Sequence, residues 1–270
     1  MKEFIQNICS QLSAVYPEDE AQSLAWWVAE ELTGLNRTQL LFGYKGTTNF
    51  PNTQAIIERL LHFEPIQYIF GHTLWMGLDL KVTKATLIPR PETAELVEKV
   101  ERLKVKGESI KVLDIGTGSG CIALGIKKTH PAWDVTGIDI SEEAIEVAKE
   151  NSKRNNLDVR FLVQDIFKTT PGSFDIVVSN PPYIMESEKV NMRPNVLDYE
   201  PATALFAPDN DPLLYYRQIA KLKLGTYLFF EINEALGRET MQLLEDEGYT
   251  DIKISMDSYG KERIIEARMA

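Results

Sequence analysis

Asn180-Pro181-Pro182-Tyr183 combines residue types suited to one kind of chemistry, the grip of a planar group that carries an NH2. Each proline fixes its φ and lacks an N–H, so carbonyl acceptors stand on a stiff backbone beside the Asn side chain and a planar Tyr ring. The tetrad follows Phe174-Asp175-Ile176-Val177-Val178-Ser179, an apolar run that reads as a buried strand of a parallel sheet. It therefore belongs at a strand's carboxyl end, where ligands of open α/β sheets bind. Asn and Pro also make ordinary tight turns. A second stretch separates the two readings.

That stretch is Leu113-Asp114-Ile115-Gly116-Thr117-Gly118-Ser119-Gly120, a glycine-rich strand end far upstream. Its glycine spacing differs from the dinucleotide pattern GxGxxG, yet it permits a tight turn and close approach of a nucleotide cofactor. Residues Gly116, Thr117, Gly118, Ser119 and Gly120 are accordingly candidates for binding that cofactor. Asp139 ends the next strand and can accept both ribose hydroxyls of an adenosine. Asp165 ends the third strand and could take the adenine amino group, with Ile166 and Phe167 covering the ring; the plainer alternative is a turn Asp followed by core residues. Asp114 either attracts a cationic headgroup or hydrogen-bonds the loop itself. Asn180, at the end of its strand, would touch cofactor and substrate alike. Arg90, set between Pro89 and Pro91, either steers an anionic group or pairs with a carboxylate, and its spacing favours the salt bridge.

Alternating strands and helices must position these residues. The pattern predicts strand 110–115, helix 119–128, strand 135–139, helix 142–155, and strands 159–163 and 174–179, the rhythm of βαβ units. Asp211-Pro212 should cap a helix, followed by strand 227–232, helix 235–247 and strands 252–256 and 263–269. The last link is too short for a parallel crossover, so the final pair must be antiparallel. Upstream, Pro17 with Glu18, Asp19 and Glu20 opens a helix that Gly34 stops; Asn36 and Gln39 form a capping box, and Asn52 caps 54–63. Trp26 and Trp27 fit the core of this bundle better than a partner interface. Leu74, Met76, Leu78, Leu80 and Val82 alternate around Gly77 and suggest a β-hairpin. The expected organisation is a helical domain at 1–72, a hairpin linker at 73–84 and a catalytic domain at 85–270. Lys99, Arg102, Lys104, Lys106 and Lys111 read as a solvated face.

The 270 residues are 44% hydrophobic and 26% charged, as expected of a soluble globular protein with one large and one small domain. A net charge of -11 opposes general affinity for phosphate backbones, and residues 1–72 hold eight acids against four bases. Cys9 and Cys121 form neither a disulfide framework nor a zinc pattern, which suits a reducing cytoplasm. No apolar run approaches the roughly 20 residues that span a bilayer. The chain is expected to be a cytoplasmic monomer, without a metal and without a membrane or sequence-specific nucleic-acid partner.

Asp114 to Gly120 with Asp139 resembles the cofactor site of Rossmann-like class I S-adenosylmethionine methyltransferases, and Asn180 to Tyr183 resembles their amino-methylating motif. That resemblance implies a mostly parallel sheet with an antiparallel last strand. Four further stretches resemble the HemK/PrmC family of release-factor glutamine methyltransferases. They are Glu64-Pro65-Ile66-Gln67-Tyr68-Ile69-Phe70-Gly71, Leu87-Ile88-Pro89-Arg90-Pro91-Glu92-Thr93, Gly116 to Gly120, and Glu200-Pro201-Ala202-Thr203-Ala204-Leu205. The family often carries Thr-Glu after the Pro-Arg-Pro-acid run, whereas here Ala94 separates Thr93 from Glu95.

This family resemblance implies an N-terminal helical domain that binds the protein substrate, a hairpin linker, and methylation of the glutamine amide in the Gly-Gly-Gln loop of class I release factors. On that reading Asn180 Oδ1 and the Pro181 carbonyl accept the two amide hydrogens, Pro182 stiffens the bend and Tyr183 stacks on the amide plane. S-adenosylmethionine would become S-adenosylhomocysteine, with proximity accounting for much of the acceleration. Two rivals remain at this point. One is an adenine-N6 nucleic-acid methyltransferase, for which the same tetrad would serve after base flipping; the other is a non-catalytic binding protein on the same fold.

Overall fold

The computed structural model describes residues 1–105 and 109–270, so Lys106 of the basic stretch lies outside the described residues. Packing divides the chain into two units, residues 1–71 with 194–199, and residues 72–193 with 200–270. The first holds α1 (Lys2–Leu12), α2 (Glu18–Thr33), α3 (Arg37–Gly43), α4 (Thr53–Leu61) and α5 (Ile66–Phe70). Ala21, Ala25 and Ala29 recur every four residues on α2 and are fully buried, a small-residue stripe where α1 packs closely. Ile8, Leu12, Val28 and Leu60 fill the rest of this core. The Asn36–Gln39 capping box forms as expected. Asn52 does not cap α4 with its side chain: its backbone is helical (φ -90°, ψ 0°), and an N-cap oxygen reaches the first turn from extended geometry. Trp26 and Trp27 pack partly against the core, under the Arg37 guanidinium and beside Glu31 respectively.

The second unit opens with the hairpin β1 (His72–Trp75) and β2 (Leu78–Lys81). Met76 and Gly77 turn it with φ of 48° and 68°, a left-handed pair that matches strand twist. That two-residue turn resets the faces of the hairpin. Thr73 faces Leu80 and Trp75 faces Leu78 inside, while Leu74, part of the same apolar alternation, is 76% exposed opposite Asp79. The Trp75 ring enters the main core, and its Nε1 donates to the Arg90 carbonyl at 2.8 Å.

Next come α6 (Pro91–Glu101), β3 (Lys111–Ile115), α7 (Cys121–Thr129), β4 (Asp134–Asp139), α8 (Glu142–Arg154), β5 (Arg160–Val163) and β6 (Phe174–Ser179). Short pieces follow: β7 (Ile184–Met185), α9 (Pro194–Leu197) of the first unit, α10 (Ala202–Leu205) and β8 (Phe206–Ala207). The chain ends with α11 (Leu214–Leu222), β9 (Gly225–Glu231), α12 (Gly237–Asp246), β10 (Tyr249–Met256) and β11 (Glu262–Met269). Proline fits the first position of α6, where no N–H is needed. Asp211 does not cap α11 with its side chain, because the helix starts after Leu213 and the carboxylate pairs with Arg217 instead.

The main sheet runs β10-β11-β9-β6-β3-β4-β5, parallel except for β11, which lies antiparallel between β10 and β9. This is the mostly parallel sheet expected, with its antiparallel strand near one end. Strand order reverses between β3 and β6, whose last residues Ile115 and Ser179 are partners. Both candidate loops leave the sheet there.

Asp114 braces the first of these loops from within. It is 0% exposed; Oδ2 accepts the Thr117 hydroxyl at 2.6 Å and the Ala123 N–H at 3.2 Å, while Oδ1 has no partner. Burial dominates and pushes its carboxyl up to about 7, against those hydrogen bonds. A raised pKa in the fold means that the unfolded chain releases this proton first, so the contribution of Asp114 to stability is lost as pH rises from about 4 to about 7. Urea unfolding across that window should show this slope, and Asp114→Asn should flatten it. An equal slope in both proteins would contradict the buried-acid account.

Candidate functional site

Gly116 and Gly118 have φ of 71° and 54°, values that L side chains rarely adopt. An added Cβ at either would meet nothing within 4 Å, so the loop faces open space. This space is a cavity of about 340 Å³. Gly120 (φ 81°) ends the turn and delays α7 to Cys121, two residues later than the sequence pattern predicts.

Gly116, Thr117, Gly118 and Ser119 line the cavity on one side, Asp139 and Ile140 on another, and Asp165, Ile166 and Phe167 on a third. Asn180, Pro181 and Pro182 line it from the end of β6, and Arg90 and Thr93 from the start of α6. The structure thus brings most of the sequence-derived candidates to one hollow. Gly120 and Asp114 do not line it; Asp114 serves the loop by hydrogen bonding, the second of its two readings.

Asp139 accepts the Gly118 N–H at Oδ2 and the Ser141 N–H at Oδ1, both at 2.9 Å, so the carboxylate ties the loop to the end of β4. Burial raises its pKa, opposed by those bonds. Each carboxylate oxygen has lone pairs to spare for a diol. Asp165 accepts the Phe167 N–H at 2.9 Å and pairs with Lys168 at 3.0 Å, and backbone hydrogen bonding lowers its pKa. It is a turn residue and also a cavity residue. Arg90 pairs with Glu200 at 2.5 Å, and the buried Glu200 also accepts the Ile88 N–H at 3.1 Å. The Pro-Arg-Pro and Glu-Pro-Ala segments are therefore held together by a charge pair. Glu95, set one residue off the family pattern, accepts the Ser258 N–H at 2.9 Å.

Tyr183 departs from its expected place. It is not among the residues lining the cavity; its ring packs against the apolar cluster around Leu113 and Ile115, and its hydroxyl donates to Glu231 Oε1 at 3.0 Å. The half-buried Tyr183 ring thus supports the tetrad from behind and lies off the lining of the cavity. Burial raises its pKa far above the usual phenol value.

Three residues to which the sequence reading gave no role belong to the site. Ile140, 65% exposed, lines the cavity beside Asp139. Thr93 lies in the first turn of α6, donates to Glu231 Oε2 at 2.7 Å and stands 3.4 Å from Asn180 Nδ2. Glu231, fully buried, has its carboxyl raised by burial to about 6. The available signal was an acid inside the run Leu228-Phe229-Phe230-Glu231-Ile232, since burying a carboxylate is costly without partners.

Among the described residues, no cluster of three His, Cys, Asp or Glu side chains is arranged to hold a metal ion, and no helix is long and apolar enough to cross a membrane.

A family model described as "PrmC N-terminal domain" matches residues 3–71, and one described as "Methyltransferase small domain" matches residues 93–197. A solved methyltransferase from Pyrococcus furiosus superposes with a TM-score of 0.53 at 22% identity, covering 81% of this chain and 98% of its own, a likeness of fold. A release factor glutamine methyltransferase of Bacteroides thetaiotaomicron is 40% identical over 99% of this chain and 99% of its own length. One of Flavobacterium psychrophilum is 38% identical over 98% of each. Identity at that level over the whole length places this chain in the release factor glutamine methyltransferase family.

Proposed function

We propose that the chain transfers a methyl group from S-adenosylmethionine to the side-chain amide nitrogen of the glutamine in the Gly-Gly-Gln motif of class I release factors. The observation that carries this is the meeting of the glycine loop and Asn180-Pro181-Pro182 in one cavity, in a chain whose relatives of equal length bear that activity in their names. The donor set fits the cofactor. Open space above Gly116 and Gly118, a carboxylate at Asp139 and apolar walls from Ile140, Ile166 and Phe167 suit a nucleoside with a diol and a flat ring. When bound, S-adenosylmethionine supplies a methyl carbon already activated by sulfonium.

A carboxamide nitrogen is a poor nucleophile because its lone pair is shared with the carbonyl. Asn180 Oδ1 and the Pro181 carbonyl can accept its two hydrogens, which holds the amide plane and turns the nitrogen towards the methyl donor. The prolines keep this pair of acceptors from relaxing. Holding the nucleophile in place is an entropic contribution that involves no covalent intermediate on the protein. Residues 1–72 are assigned to holding the protein substrate in the cytoplasm, and residues 85–270 to the chemistry, with 73–84 as the joining hairpin. A net charge of -11 speaks against the alternative nucleic-acid substrate.

Asn180→Ala should retain cofactor binding by calorimetry and lose about 100-fold in kcat, read by mass spectrometry as methyl incorporation into a purified release factor; near-normal turnover would rule out the acceptor role. Asp139→Ala should weaken cofactor affinity about 10- to 100-fold, the loss of a hydrogen bond to a charged group. Unchanged affinity would remove Asp139 from the ribose. Methylation of adenine-containing DNA or RNA in preference to a release factor would favour the rival substrate.

A further inference from the structure

The grip on the substrate amide depends on which end of the Asn180 side chain faces the cavity. The two ends of a carboxamide have almost the same shape, so sterics do not choose between them. A chain of hydrogen bonds behind the residue does. Glu231 Oε2 meets the Thr93 hydroxyl at 2.7 Å and Oε1 meets the Tyr183 hydroxyl at 3.0 Å. An ionised carboxylate only accepts, so both hydroxyls must donate to it. Thr93 has then used its one proton and offers Asn180 a lone pair. Asn180 answers with Nδ2, 3.4 Å away, which leaves Oδ1 for the cavity. Reversed, the Asn180 NH2 would face the substrate NH2, donor against donor.

We propose that Glu231 is a positioning residue that, through Thr93, holds Asn180 with its oxygen towards the substrate amide, and that it does so only as the carboxylate. The proposal rests on the amide-methylating function above and adds to it a charge that selects NH2-bearing acceptors.

The groups around Glu231 set its titration. Burial and Glu92 on α6 favour the neutral acid; Thr93, Tyr183 and Arg263 on β11 favour the carboxylate. Tyr216 on α11 donates to the backbone carbonyl of Glu231 at 3.0 Å, and Cys121 on α7 stays a thiol because burial raises its pKa. The carboxyl titrates near 6, above its usual range. Below that pH the neutral acid can no longer accept from both hydroxyls; with its proton on Oε2 it donates to Thr93, which regains a proton to offer, and the Asn180 amide loses its enforced direction. Turnover must therefore fall on the acid side of about pH 6 and hold above it.

The test measures kcat, KM and cofactor affinity between about pH 5 and pH 8 for the unmodified protein, Thr93→Val, Thr93→Ser and Glu231→Gln, with thermal unfolding to confirm that each is folded. Thr93→Val keeps the side-chain volume and should lower kcat about 10- to 100-fold at little change in cofactor affinity, the cost of leaving the Glu231 carboxylate and the Asn180 amide short of a partner; Thr93→Ser should restore most of it. Glu231→Gln should lower kcat and abolish the acid limb. Full kcat in Thr93→Val, or an unmoved acid limb in Glu231→Gln, overturns the proposal while leaving the methylation itself intact. If the unmodified chain methylates no release factor, the function fails first. NMR of the Asn180 side-chain NH2 in the free protein then decides the orientation alone: Thr93→Val must shift its resonances, and unshifted resonances overturn the proposal.

Discussion

Ile115 and Ser179 are neighbours in adjacent parallel strands, tied further by the Ser179 hydroxyl donating to the Ile115 carbonyl at 2.7 Å. Everything that the site does follows from that pairing. The chain leaving Ile115 turns through glycines, the chain leaving Ser179 turns through prolines, and the strands beyond them continue outward in opposite directions. A crevice must open where strand order reverses, because no crossover covers it. On the proposed function, the positive-φ glycines of one lip give a cofactor close approach and the stiff proline backbone of the other fixes acceptors for a substrate.

Both lips are braced by acids buried among apolar side chains, which is an expensive place for charge. Asp114 lies under the glycine loop and Glu231 behind the proline bend, each fully buried and each with its carboxyl raised towards neutrality. Apolar residues at these positions would remove that cost, but they could not accept hydrogen bonds from Thr117 and Ala123, or from Thr93 and Tyr183. The stability given up there maintains the direction of polar groups at the cavity wall. Asp139, at the cavity edge, is a smaller case of the same trade, with two backbone N–H groups offsetting its burial.

Much of this was legible in the residues. The alternation of apolar runs foretold the parallel sheet, the short link 257–262 foretold the antiparallel pair, and the glycine and proline stretches foretold which strand ends would meet. What escaped shares one physical cause, the dependence on partners distant in sequence. Glu231 reads as an acid at a strand end until Thr93 and Tyr183, both far from it along the chain, are seen to converge on it. Tyr183 reads as a stacking ring, and the structure adds a partner for its hydroxyl at Glu231 that the local sequence does not announce. Leu74 fits the hairpin's alternation, but two left-handed residues at the turn move it to the outer face. Local propensity determines elements well and the direction of single side chains poorly, because one residue of register exchanges inside for outside.

The same dependence explains why the hairpin at 72–81 belongs with the site rather than merely preceding it. A two-stranded ribbon is marginal alone and exposes a row of unpaired backbone groups at its edge. Asn151 in the last turn of α8 and Asn155 at its C-cap pair their carboxamides with the backbone of Lys81 and Asp79 and so close that edge where a third strand would otherwise be needed. Asn151 Nδ2 donates also to the Ser119 carbonyl at 2.9 Å. One buried side chain thereby couples the hairpin edge to the glycine loop, and the Trp75 indole, bonded to the Arg90 carbonyl, couples the hairpin to the Pro-Arg-Pro segment. Two walls of the cavity are thus referenced to this ribbon, so its sequence is constrained by the site's geometry as well as by its own folding.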